Sequence, residues 1–201
     1  MTPEILILAA GSSSRMRGGD KLLESIDNEP QLTRITRAAL ATGLPVSVAL
    51  PPDRPARAAC LIGLPVQLVT VPNPADGMAA SLAAGVRALP EGAPLLLLLA
   101  DLPEITAEDL HRFLAAWASD PDHIARGTAA DGTPGHPVGF PADLRPELLM
   151  QTGDQGARDV IARHKHRLRL IALPDQHATT DLDTPEDWAR WRETRRTARN
   201  L

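Results

Sequence analysis

A chain of 201 residues with 43% apolar residues has the material for one α/β domain, 1–201, and too little for two comfortable ones. Its net charge of −4 and aromatic content of 2% exclude a general pull towards nucleic acid or an anionic membrane, and they offer no base-stacking platform. Cys60 is the single cysteine, which excludes an internal disulfide framework and a cysteine-rich zinc site.

Residues 4–10 read as a buried strand that empties into a Gly/Ser loop, Gly11-Ser12-Ser13-Ser14-Arg15-Met16, with Lys21 close behind. Small residues let backbone N–H groups approach a phosphate, and the two cations supply charge where a polyphosphate would sit. The loop lacks the Gly-Lys-Ser/Thr ending of a Walker A motif, and Ser13 stands where a dinucleotide fingerprint needs its second glycine. An ordinary strand-to-helix turn with solvated charges fits this segment equally well.

Next come a helix over 31–42 with Leu32, Ile35, Ala39 and Leu40 on one face, a strand over 45–50, a helix over 54–62 and a strand over 65–71. Gly77 to Leu89 reads as a helix, and the leucine run 94–100 as a central strand. Thr106 opens the following helix with Asp109 at the capping-box position, and Leu110, Phe113, Leu114 and Trp117 face inward. Short strands are expected near 123–126 and 136–140, helices over 142–150 and 155–164, and a half-buried strand over 167–173. Thr184-Pro185-Glu186-Asp187 starts a last helix. Its Arg190, Arg192, Arg195, Arg196 and Arg199 read as a solvated basic tail.

Strands alternating with helices imply a mostly parallel sheet covered on both faces, with ligands beyond the carboxyl ends of the strands. The Gly/Ser loop lies at that edge, and so does Asp101, directly after the leucine strand. A carboxylate there suits a hard cation such as Mg²⁺, although a turn aspartate before Pro103 reads the same way. Alternation points Asp181 and Asp183 in one direction, and the alternative for them is a pair of loop acids. Together, a cation-bearing backbone loop and acids at two strand ends suit metal-assisted phosphoryl or nucleotidyl transfer. No signal peptide or bilayer-spanning apolar run is recognisable, so a cytoplasmic protein without membrane or nucleic-acid contact is expected.

Seven segments in order resemble the molybdenum cofactor cytidylyltransferases: Leu8 to Met16, Asp20 to Leu23, Gly77 to Leu82, Leu99 to Pro103, Gly135 to Pro137, Gly153 to Arg158 and Asp181 to Asp187. The resemblance implies a three-layer, Rossmann-like nucleotidyltransferase fold of the A type. It also implies CTP and Mg²⁺ (with Mn²⁺ as a substitute), attack by a terminal phosphate of the molybdopterin cofactor, and release of pyrophosphate. Under it, Leu8, Ala9, Ala10 and Gly11 to Ser14 line the nucleotide. Arg15 and Lys21 neutralise its β- and γ-phosphates, and Met78 and Ser81 lie near the base and ribose. Asp101 and Asp183 hold the metal, with Asp181 as a further ligand. His136, Gly153, Asp154, Gly156 and Arg158 face the acceptor. His136 and Arg158 also read as a plain turn residue and an exposed helix cation.

Guanylyl-transferring relatives carry glycine where Ala10 stands, and a methyl group there disfavours a purine by about 1–3 kcal/mol. Two departures stand out. The stretch Met16 to Lys21 is about one residue longer than usual, and Gln31-Leu32-Thr33 is more polar, which is expected to alter a loop over the site. Product hand-over to a client molybdoenzyme by transient contact is a further implication. Competing readings are a transferase with GTP as donor or another phosphate acceptor, and a chaperone that binds and delivers the cofactor. A pure carrier has no need of Arg15, Lys21, Asp101 and Asp183 together.

Overall fold

The computed structural model describes residues 2–153 and 156–199. The elements in chain order are β1 (Glu4–Leu8), β2 (Ser25–Ile26), β3 (Glu29–Pro30), α1 (Gln31–Leu40), β4 (Val46–Leu50), α2 (Pro55–Ala59) and β5 (Gln67–Thr70). They continue with α3 (Met78–Ala88), β6 (Leu95–Leu99), α4 (Ala107–Ala118), β7 (Ile124–Thr128), β8 (Pro134–Phe140), α5 (Arg145–Leu149), α6 (Arg158–Arg163), β9 (Leu168–Ala172) and α7 (Pro185–Arg199). Seven strands form one sheet in the order β5-β4-β1-β6-β8-β7-β9, and β2 pairs with β3 in a small hairpin.

The apolar runs of β1 and β6 are explained by burial on both faces. Ile5, Ile7 and Ala9 alternate with Leu6, Leu8 and Ala10, and the two sets enter different cores. The first core joins the sheet to α1 and α4 through Leu32, Ile35, Phe113 and Trp117. The second joins it to α3, α5 and α6 through Leu82, Val86, Leu148 and Val160. Each fully buried side chain of this kind contributes roughly 1.5–3 kcal/mol. A Cβ on Gly85 would come within 2.4 Å of Leu6, so α3 rests directly on β1. No described helix is long and apolar enough to cross a membrane.

The seven-stranded sheet is mostly parallel, and among its described strands β8 alone runs against its neighbours. The connection from β7 is a hairpin closed by Ala129 N–H donating to the Thr133 carbonyl, and so short a link permits antiparallel pairing only. The helix expected over 142–150 is a short 3-10 turn, Ala142–Leu144, followed by α5, because Pro146 lacks the N–H that would continue a helix through it. Gln31 forms no loop over the site. It is wholly buried at the start of α1, and its amide donates to the Ala100 carbonyl at 2.9 Å.

A third, smaller core joins Met16, Ile26, Leu182, Trp188 and Trp191. It draws α7 over the Gly/Ser loop and corrects the solvated-tail reading for Arg192 and Arg195, while Arg190 and Arg196 are exposed as expected. Arg192 pairs with Glu24 at 2.6 Å and lies 5.2 Å from the Trp188 ring centre. Arg195 pairs with Asp27 at 3.2 Å and lies 4.7 Å from the Trp191 ring centre. The Arg199 side chain lies outside the described residues.

From β1 the chain crosses to β4 and β5 on one side and later to β6 on the other. The crevice of such a sheet opens where these crossovers part, beyond the carboxyl ends of β1 and β6. The Gly/Ser loop and Asp101 both leave the sheet there.

Candidate active site

The loop after β1 is wound tightly by its own backbone. Ser13 and Arg17 adopt left-handed conformations (φ 52° and 51°), and Met16 N–H donates to the Ser13 carbonyl at 3.0 Å. Met16 plugs the third core, while Arg15 stays largely exposed. A second turn, Lys21–Leu23, begins where the Asp20 carboxylate accepts from Leu22 N–H at 3.1 Å.

Asp101, Asp181 and Asp183 converge, with one carboxylate oxygen of each within 4.8 Å of the others. Ala100 N–H donates to the Leu8 carbonyl at 3.1 Å, which fixes the exit of β6 beside the Gly/Ser loop. The Lys21 ammonium lies among the acids, 2.6 Å from Asp101, 2.6 Å from Asp183 and 3.3 Å from Asp181. Arg15 also pairs with Asp183. Burial alone would lower the Lys21 pKa. The Asp101 charge and hydrogen bonds to Asp101 and Asp183 outweigh it, and the ammonium is held above its usual range. Burial raises the Asp181 carboxyl to about 6, helped by the Asp101 charge and opposed by Lys21. Burial pushes Asp183 upward, but Lys21 and Arg15 bring it below the usual carboxylate range.

The residues present fit a divalent metal. All three donors are hard oxygens, and the buried Asp101 Oδ1 has no hydrogen-bond partner.

Three adjoining cavities make up the crevice. One of about 610 Å³ is lined by Leu8, Ala10, Gly11, Ser12, Met78 and Ser81. A second, about 220 Å³, lies against Gly11 to Ser14, Arg15, Lys21, Asp101 and Asp183. The third, about 320 Å³, has an apolar wall that includes Leu97, Leu99, Val138 and Ile161, with Arg126, Arg158, His136, Asp101 and Asp181 around it. Asp101 is therefore common to the second and third. Burial, reinforced by the Arg126 charge, pushes the His136 imidazole down to about 4. His136 N–H donates to the Ala178 carbonyl at 2.9 Å, and a Cβ on Gly135 would come within 1.9 Å of that oxygen. Glycine at 135 thus lets β8 dock on the segment that leads to Asp181.

Most of the residues singled out by sequence meet in this crevice. Ala9 differs, because its side chain enters the first core. Gly153 lines a separate cavity with Leu149 and Met150. Gly156 lies against Met78, whose sulfur is 2.9 Å from where a Cβ would stand. Asp154 lies outside the described residues. Sequence reasoning gave Asp20 no role of its own and missed Arg57 and Arg126. Arg57 carried one signal, a lone charge within Pro55-Ala56-Arg57-Ala58-Ala59-Cys60.

Residues 5–168 match the family of MobA-like NTP transferase domains. No curated protein matches the sequence. Among solved structures, Rv0371c from Mycobacterium tuberculosis H37Rv is similar at 26% identity and a TM-score of 0.82, with 96% of this chain and 98% of that one covered. A complex of Rv0371c with manganese shares the fold at 24% identity and a TM-score of 0.74, covering 94% and 97%. A CMP:2-keto-3-deoxy-manno-octonic acid synthetase complexed with CTP shares it at 16% identity and a TM-score of 0.75, covering 100% of both chains. With the match spanning most of its length, the chain belongs to the MobA-like NTP transferase family and is a nucleotidyltransferase.

Proposed function

We propose that this nucleotidyltransferase moves CMP from CTP to the terminal phosphate of a molybdenum-bearing pterin cofactor, with 1–201 acting as one domain. The observation that carries the reading is the double exposure of Asp101. Its carboxylate meets the cavity of the Gly/Ser loop on one side and the cavity of Arg126 and Arg158 on the other. A donor and an acceptor bound in these two spaces would meet at that carboxylate.

A phosphate oxygen of the acceptor attacks the α-phosphorus of CTP. The bond from that phosphorus to the bridging oxygen breaks, and pyrophosphate leaves with the oxygen and its electron pair. Backbone N–H groups of Gly11 to Ser14 take phosphate oxygens. Arg15 and Lys21 supply positive charge to the β- and γ-phosphates, and each gives up a carboxylate partner to do so. Asp101 and Asp183, with Asp181 as a further ligand, would hold Mg²⁺ or Mn²⁺, which supplies charge neutralisation at the reacting phosphates. The manganese-bound relative supports that metal.

Met78 and Ser81 flank the base and ribose, and the Ala10 methyl group disfavours a purine by about 1–3 kcal/mol. The synthetase complexed with CTP supports a cytidine donor. On the acceptor side, Arg126 joins Arg158 in gripping a phosphate, and Gly156 lies against Met78, which lines the same space. The apolar wall suits a flat ring. His136 stays neutral near pH 7, so its unpartnered Nδ1 serves as a hydrogen-bonding group rather than a cation.

A thermal-shift titration with CTP and GTP, each with and without Mg²⁺, tests the donor. At 100 times its dissociation constant a ligand stabilises the fold by about 2.7 kcal/mol. Metal-dependent stabilisation by CTP over GTP is expected, and pyrophosphate release on adding the pterin cofactor completes the test. Preference for GTP overturns the cytidine assignment, and no shift with either nucleotide overturns the donor assignment.

A further inference from the structure

Arg57 is wholly buried, yet α2 offers it no acid. An unpaired buried guanidinium is costly, and this one is partnered throughout. It has five N–H groups in a rigid fork, and all five are used. Nη1 donates to the carbonyls of Ala9 (2.7 Å) and Gly11 (2.8 Å). Nη2 donates to Ser13 Oγ (3.1 Å) and Asp20 Oδ1 (2.9 Å), and Nε donates to Asp20 Oδ2 (2.7 Å). Every acceptor belongs to one arm or the other of the phosphate loop. Asp20 draws the arms together, because its Oδ1 also accepts from Ser13 Oγ at 3.3 Å and from Leu22 N–H at 3.1 Å.

The two carbonyls have a geometric consequence. Across a trans peptide, the C=O of one residue and the N–H of the next point in opposite directions. With the Ala9 and Gly11 carbonyls turned to Arg57, the N–H groups of Ala10 and Ser12 face away from it. Neither has a backbone or side-chain acceptor among the described residues, and Ala10, Gly11 and Ser12 line the largest of the three cavities.

We propose that Arg57 is a positioning residue for the phosphate loop. Through the Ala9 and Gly11 carbonyls and the Asp20 carboxylate, it aims the free loop N–H groups at a nucleotide triphosphate and fixes the turn from which Lys21 reaches out. It touches no substrate itself, and this role rests on the nucleotidyl-transfer reading above.

The test compares wild type with Arg57→Met, Arg57→Lys and Asp20→Asn by amide hydrogen exchange and by calorimetric titration with CTP or GTP plus Mn²⁺. In folded Arg57→Met, exchange of the hydrogen-bonded loop amides of Met16, Gly19, Leu22 and Leu23 accelerates about tenfold while β6 and α4 stay as protected as in wild type. Affinity falls about 30-fold for both nucleotides, since the loss is on the phosphate side. Arg57→Lys restores the charge without the fork and recovers less than about threefold of that loss.

Wild-type exchange and affinity in folded Arg57→Met overturn the proposal, and so does full recovery by Arg57→Lys. If Arg57→Met fails to fold, the same two measurements on Arg57→Lys and Asp20→Asn decide it. Failure of wild type to bind either nucleotide overturns the donor assignment, and loop exchange still decides whether Arg57 organises the loop.

Discussion

On the loop side of Asp101 the cations already have carboxylate partners. Arg15 pairs with Asp183, Lys21 with all three site acids, and Arg57 with Asp20. On the other side, no carboxylate among the described residues pairs with Arg126 or Arg158. Arg126 donates to the Gly135 carbonyl at 3.1 Å, and burial and the nearby Arg158 charge lower its pKa. The two halves would therefore meet an incoming ligand differently. A phosphate entering the loop side displaces an existing ion pair, so a highly charged ligand accompanied by metal has the advantage there. A single phosphate entering the other side relieves the repulsion between two arginines.

The largest effect comes from removing the carboxylate that both halves share. Asp101→Ala is expected to lower turnover about 10³-fold, read as pyrophosphate release from CTP and the pterin cofactor, with the circular dichroism spectrum unchanged. Wild-type-like release would remove Asp101 from the metal site. Arg158→Ala sharpens the contrast by touching one side alone. The KM for the acceptor should rise about 10–100-fold, the cost of a charged hydrogen bond, while CTP affinity stays within about twofold. A matching loss of CTP affinity would mean that the halves are not independent.

The smallest effect is a pH dependence from His136. Its pKa of about 4 in the folded chain lies below the ordinary 6.5. The unfolded chain therefore takes up the proton first as pH falls. Stability from the neutral imidazole is complete above pH 6.5 and is lost as pH drops towards 4. Melting temperatures between pH 4 and 7 should fall less steeply for His136→Gln, and an unchanged slope would show that other groups dominate.

The difference between the halves also governs what could be read from sequence. β1 runs directly into its loop and β6 almost directly into Asp101, so an apolar run that ends in small or charged residues announces each. The pairing of Asp181 with Asp183 follows from two-residue spacing. The role of Arg57 depends on α2 lying against the first turn of the loop, 44 to 48 residues away in sequence, and no local pattern encodes that contact. Arg126 faces Arg158 because β8 turns back beside β7. The hairpin that causes this reversal reads locally as a loose Gly- and Pro-rich stretch. The β2–β3 turn has a local signature in Asp27-Asn28, both at positive φ, but its value lies in the distant α7 that packs on it.

The third core has an optical consequence. The chain holds three tryptophans, two phenylalanines and no tyrosine, so its emission beyond the phenylalanine band comes from tryptophan alone. Trp117 is packed under the sheet in the first core, whereas Trp188 and Trp191 share the third core with Met16 of the Gly/Ser loop. Their rings meet edge to face at 5.8 Å. Any ligand that reseats Met16 changes the surroundings of two of the three emitters, so the unlabelled protein carries its own fluorescent reporter of the loop.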